Sequence, residues 1–224
     1  MNADLQRLFE RVSWGLPGAA VEAESFRRIE AETPPGIRAG FSTGEWRIAR
    51  RLVHTTADFS ILSQLRFSGD PVSAGRLALS RGAVIYSDSN MIKSGLSVPK
   101  LQRFCPAYTR DSILCEVASP EVAALAKREG ITRALAAVKL HERELDGCIF
   151  LCGNAPLALA GVIRMIVEGR VRPALIVGMP VGFVNVLESK ELLRYVDVPY
   201  VMLEGRRGGS PLAVASLHAI MEDA

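Results

Sequence analysis

Histidine is scarce in this chain: His54, His141 and His218 are the whole supply among 224 residues. Few side chains are therefore suited to proton transfer near neutrality, and a metal centre built on clustered imidazoles is excluded. Cysteine is sparse too. Cys105, Cys115, Cys148 and Cys152 do not make two close pairs at zinc-ligand spacing. Cys148 and Cys152 fall on one face of an apolar, strand-like run, where free thiols are ordinarily buried. No residue is assigned to a metal. The chain also lacks any apolar run near the roughly 20 residues of a membrane span, and its opening "MNADLQRLFERVSWGL" has no apolar signal core. A reducing cytoplasm is the expected location. Charge of one sign is missing as a block: 27 Lys and Arg and 24 Asp and Glu are scattered, for a net charge of +3. This excludes the dense basic arm of a nucleic-acid binder and leaves a modest preference for a small anionic ligand. Neither G-x-x-x-x-G-K-[ST] nor G-x-G-x-x-G follows a strand-like run, so nucleotide binding has little support.

What is present is the pattern of an α/β protein. A hydrophobic content of 49% and a charged content of 23% describe an ordinary globular core, expected to form a single domain over 1–224. Short apolar runs predict strands at about 83–87, 112–117, 147–152, 173–178 and 198–203. Longer amphipathic stretches predict helices at about 71–81, 120–128, 131–145, 155–169, 184–195 and 209–222, with others near 18–31 and 42–56. Such alternation is that of βαβ units around a doubly wound sheet of about five parallel strands flanked by helices. Ligands of open α/β sheets sit beyond the carboxyl ends of the strands, where the strand order reverses.

Those strand ends are well furnished. After the first comes "SDSNMIKSG", where Asp88 and Asn90 are placed to cap the next helix or to face a cleft. After the third comes "CGNAP", with Asn154 as expected N-cap and Pro156 in the first turn, opening a helix N-terminus towards the cleft. After the fourth comes "GMPVGFVNVLESK", with two glycines and a proline, then an acid, a serine and a lysine, more than a structural strand-to-helix turn needs. After the fifth comes "EGRRGGS", where Arg206 and Arg207 sit among Gly205, Gly208 and Gly209, and Ser210 is expected to cap the last helix. Guanidinium groups beside exposed amides suit carboxylate or phosphate. Taken singly, each turn is equally the ordinary turn chemistry of any α/β domain. His141 lies in a charged helix and His218 in an apolar one, surface and core positions respectively. His54, in "RRLVHTTADF", has Thr55, Thr56 and Asp58 as neighbours able to fix its tautomer.

The segments "VHTTADF", "SDSNMIKSG", "GNAP", "GMPVGFVNVLESK" and "VPYVMLEGRRGGS", in that order, resemble the precorrin-8X methylmutase family of cobalamin biosynthesis, including its cobalt-precorrin-8 branch. The resemblance runs from about 21 to the last helix. It implies a flavodoxin-like sheet, a homodimer whose interface helps form a tetrapyrrole cleft, no cofactor, and an isomerase moving a methyl group from C11 to C12 of the corrinoid. It places the catalytic histidine on His54, with Ala57 where relatives often carry glycine. It puts ligand-facing roles on Ser25, Thr55 and Arg133, and makes Asp88, Asn90 and Asn154 the cleft wall. Gly182 and the loop residues Arg206, Arg207, Gly208, Gly209 and Ser210 complete the substrate-binding set. A corrinoid carrier that binds without turnover is the alternative, and a phosphate-handling enzyme using Arg206 and Arg207 is a second.

Overall fold

The computed structural model describes residues 2–222; residues 1, 223 and 224, at the ends of the expected domain 1–224, lie outside the described residues. Its strands are β1 (Leu65–Ser68), β2 (Ile85–Ser87), β3 (Ile113–Leu114), β4 (Ile149–Cys152), β5 (Leu175–Gly178) and β6 (Tyr200–Leu203). They form one sheet in the order β1-β6-β5-β4-β2-β3. The five expected strands are β2 to β6, all parallel to one another. Their spatial order, second, first, third, fourth, fifth, is the flavodoxin-like one, and the reversal falls between β2 and β4. The sixth strand, β1, was not expected. It adds antiparallel to β6, with Leu65 opposite Leu203 and Ser68 opposite Tyr200.

Helices α1 (Ala3–Glu10), α2 (Gly18–Glu32), α3 (Pro35–Arg38) and α4 (Thr43–Thr56) precede β1. Next come α5 (Pro71–Ser80), then α6 (Asn90–Gly95) and α7 (Val98–Gln102) after β2. After β3 follow α8 (Pro120–Glu129), α9 (Arg133–Leu140) and α10 (Glu142–Leu145). Finally, α11 (Pro156–Val167), α12 (Val186–Leu193) and α13 (Ser210–Ile220) follow β4, β5 and β6. The expected helix 131–145 breaks at His141, and the "SVPKLQRFCP" stretch, where no helix was expected, contains α7 capped by Ser97.

The sheet separates two apolar layers. On one side Trp46, Leu52 and Val53 of α4, Leu79 of α5, Ile92 of α6 and Leu217 of α13 pack against Ile149 and Leu151. On the other side Val138 of α9, Leu159 and Val162 of α11 and Leu193 of α12 pack against Phe150. Cys148 and Cys152 join Phe150 in the second layer, on one face of β4 as the alternation requires. Burial on both faces explains why β4, β5 and β6 read as continuous apolar runs.

At the edge of the first layer stands the partly buried His218, whose Nε2 accepts the Ser97 amide at 3.2 Å. Burial, with Lys100 and Arg51 nearby, pushes its pKa down to about 4, against an opposing pull from Glu22. The unfolded chain therefore takes up a proton that the folded one refuses. Stability should be intact above about pH 6.5 and fall, by on the order of 2 kcal/mol, as pH drops towards 4. Urea denaturation at several pH values checks this: His218→Gln should flatten the acid slope, and an unchanged slope would assign the loss to other groups.

Candidate active site

At the carboxyl ends of β2 and β4 lies a cleft of about 600 Å³ whose walls include Asp88, Ser89, Asn90, Arg133, Asn154 and Val184. On the opposite face of the sheet α4, α6 and α13 frame a smaller depression of about 350 Å³, with Thr55, Met91 and Ser210 in its wall. The two meet where the Ser89 and Ser210 hydroxyls hydrogen-bond at 2.9 Å.

The floor of the larger cleft is organised by Asp88, which is buried. Its carboxylate accepts the amides of Gly153 (3.1 Å to each oxygen), Asn154 (2.7 Å) and Ala155 (2.6 Å). The Cys152 thiol donates to it at 3.3 Å. The amide nest in front of α11, expected to stand open to an anionic ligand, is therefore already filled by a carboxylate of the chain itself. Asn154 is not the N-cap: Ala155 holds that position without a side-chain bond, leaving the exposed Asn154 side chain at the cleft wall. Neither Asp88 nor Asn90 caps α6; the Ser89 hydroxyl does, accepting the Ile92 amide.

The two glycine-bearing loops after β5 and β6 interlock. The Gly209 amide donates to the Met179 carbonyl at 2.8 Å, and the Gly182 amide to the Arg206 carbonyl at 3.2 Å. Gly208 passes so close that a Cβ there would stand 2.2 Å from the Met179 oxygen and 2.7 Å from that of Pro180. Beneath them the buried Lys190 ammonium donates to the carbonyls of Gly205 (2.8 Å) and Arg207 (2.7 Å). Burial pulls its pKa down to about 8, so near neutrality it still carries the proton those carbonyls use. This accounts for the lysine of "GMPVGFVNVLESK": it ties one loop to the other. Ser189 turns inward and donates to Val186 at 3.0 Å. Ser210 does not cap α13, since Gly209 (φ 127°) is the N-cap and the Ser210 hydroxyl is bonded to Ser89.

Arg206 is exposed and lies over the Phe183 ring at 5.6 Å. Phe183 and Val184 at the cleft rim are 84% and 74% exposed. Arg207 is engaged within the chain, donating to Asp58 and to the Ser60 hydroxyl at 2.8 Å. His54, half-buried on α4, meets the Phe26 ring of α2 edge-on, with centroids 5.3 Å apart. The expected tautomer partners are spent elsewhere. Thr55 and Thr56 donate to the carbonyls of Arg51 and Leu52, the back-bonding usual for helical threonine. Asp58 receives Ser60 and Arg207.

Residues 20–223 match the family of precorrin-8X methylmutase. The chain belongs to that family. It is 40% identical to a cobalt-precorrin-8 methylmutase of Methanocaldococcus jannaschii over 81% of this chain and 80% of the relative. It is 38% identical to a precorrin-8X methylmutase of Pseudomonas aeruginosa, over 91% of this chain and 94% of the relative. The fold matches a crystal structure of precorrin-8X methyl mutase from Thermus thermophilus with a TM-score of 0.80 and 44% identity, covering 91% of this chain and 95% of that one.

Of the residues that the methylmutase resemblance singles out, six line the two concavities, and His54 lines neither. Asp88, Asn90, Arg133 and Asn154 gather in the larger cleft. Arg133 is exposed there as the first residue of α9, behind the Thr132 cap. Thr55 and Ser210 line the smaller depression, with His54 next to Thr55 on α4. The Ser25 hydroxyl donates to Val21 at 2.9 Å, on the α2 turn that brings Phe26 to His54. Sequence reasoning missed Phe183 as a rim residue and Lys190 as the tie between the loops. An aromatic flanked by Gly182 and two valines was a visible signal for the first; the partners of Lys190 lie in another loop and left none.

Proposed function

We propose that this chain is a methylmutase acting on precorrin-8X or cobalt-precorrin-8, moving a ring methyl from C11 to C12 to give hydrogenobyrinate or cobyrinate. The family match over residues 20–223 carries this reading. His54 is the proton donor. A suprafacial 1,5-shift moves one carbon with its bonding electrons inside the macrocycle; the proton lent to the ring system returns once the methyl has migrated, so nothing is gained or lost overall. A rigid pocket and one acid then supply most of the acceleration. The exposed guanidinium groups of Arg133 and Arg206 are suited to the acetate and propionate carboxylates around the ring. Asp88 serves the site by holding the loop before α11, and the apolar rim of Phe183 and Val184 supports closure of the cleft by a second copy, as a homodimer. The activity resides in one domain and in the cytoplasm, consistent with free, mostly buried cysteines; among the described residues no helix is long and apolar enough to cross a membrane.

The test is to add precorrin-8X and cobalt-precorrin-8 separately to purified protein and follow the visible spectrum. Conversion of one or both is expected, and the faster names the pathway served. Binding without conversion would replace the mutase with a carrier, and absence of binding would remove both readings.

A further inference from the structure

The last loop presents two adjacent guanidinium groups that do different things. Arg206 lies over Phe183 at the rim of the cleft, whereas Arg207 reaches across to Asp58 and Ser60, just beyond the end of α4. The Arg207–Asp58 pair is too exposed, at 41% and 39% of the two side chains, to add much stability. Its geometry is nonetheless closely fixed at both ends. The Arg207 carbonyl is held by Lys190, and two residues on the Gly209 amide is bonded to Met179. Asp58 accepts the Ser60 amide at 2.8 Å, and its own amide donates to the Thr56 hydroxyl at 3.3 Å. Between Asp58 and the helix stands Ala57, a left-handed C-cap at φ 51° and ψ 31°, whose amide donates to Val53 at 2.7 Å. An alanine holds that conformation at a cost and only when its surroundings over-determine it. His54 belongs to the same last turn.

We propose that Arg207, acting through Asp58, is a positioning residue that sets where the end of α4, and with it His54, stands relative to the cleft. Arg206 is left as the loop's guanidinium for a ligand carboxylate. This division of labour rests on the mutase reading of the site. Contacts run from β5 and α12 through Lys190, Arg207 and Asp58 to the turn that ends the His54 helix, so a shift at Arg207 reaches the acid without touching substrate.

The test compares Arg207→Gln, Arg207→Lys, Asp58→Asn, the double variant Asp58→Asn with Arg207→Gln, and Arg206→Gln, each checked for folding by thermal melting. Arg207→Gln should lower kcat by about 10- to 100-fold, the cost of misplacing a reacting group by an ångström or less, with KM within about twofold. Arg206→Gln should raise KM and spare kcat. The double variant should be no worse than Arg207→Gln alone, and Arg207→Lys, which keeps a cation for Asp58, should recover most of kcat. In substrate-free protein, Arg207→Gln should move the ring NMR signals of His54 and leave those of His141 in place. An increase in KM with unchanged kcat in Arg207→Gln, multiplicative single effects, or unmoved His54 signals would each overturn the proposal. If the wild type turns nothing over, the mutase reading falls, and the His54 signals still decide the positioning role.

Discussion

His54→Ala is expected to lose about 10² to 10⁴ in the rate of the methyl shift, the range a positioned general acid contributes, while still binding the corrinoid product. The other two histidines cannot stand in. His218, partly buried in the wall of the smaller depression, is held neutral with its Nε2 occupied by the Ser97 amide, and His141 sits at the break between α9 and α10, within 3.9 Å of Glu144. The carboxylate nearest the larger cleft, Asp88, is committed to three amides and a thiol. Single-turnover absorbance with a parallel titration of product separates chemistry from binding. Turnover of His54→Ala at the wild-type rate would move the acid elsewhere; loss of product affinity together with rate would make His54 a binding group instead.

Gly208→Ala is expected to be the most damaging single-methyl change in the site. The added carbon would meet the backbone oxygens of Met179 and Pro180 at 2.2 and 2.7 Å, and rigid main chain cannot turn aside as a side chain would. The loops must part, breaking the bond from Gly209 to Met179. Overpacking of about 1–3 kcal/mol plus a lost hydrogen bond of about 1 kcal/mol gives a loss of about 3 kcal/mol. At about 2–4 °C per kcal/mol for a chain this size, the midpoint should fall by about 10 °C. Substrate affinity should weaken as well, because Arg206 rides on the displaced loop. Gly36→Ala is the control, since a Cβ there meets nothing within 4 Å. A Gly208→Ala melting curve overlying that of Gly36→Ala would show that the two loops do not pack as described.

Much of the sheet was legible in the sequence because burial on both faces turns β4, β5 and β6 into unbroken apolar runs. β1 was not: "LRFS" is four residues long, follows a 3-10 turn, and gains its meaning only from β6, far along the chain. The break at His141 carries neither glycine nor proline to announce it. In the site, the residue types were readable and their partners were not. Asp88 looked like a cap or a cleft residue, yet its acceptors' partners lie some 65 residues later. Arg207 was read as a second anion ligand, and its partner within the chain, Asp58, lies 149 residues earlier, where no spacing could point to it. The threonine hydroxyls next to His54 were legible in principle, since helical threonine commonly bonds back one turn.

The antiparallel strand β1 bears on how the protein is made. Synthesis delivers the amino-terminal half first, but Leu65 must wait for Leu203, α4 for α13, and Asp58 for Arg207. The His54 helix therefore has no finished surface to lie against until almost the whole chain has left the ribosome, and such long-range closures are the slow steps of folding. A nascent or truncated chain ending before β6 would lack the strand, the loop and the helix against which the His54 helix lies, so the site is complete only with the carboxyl-terminal segment.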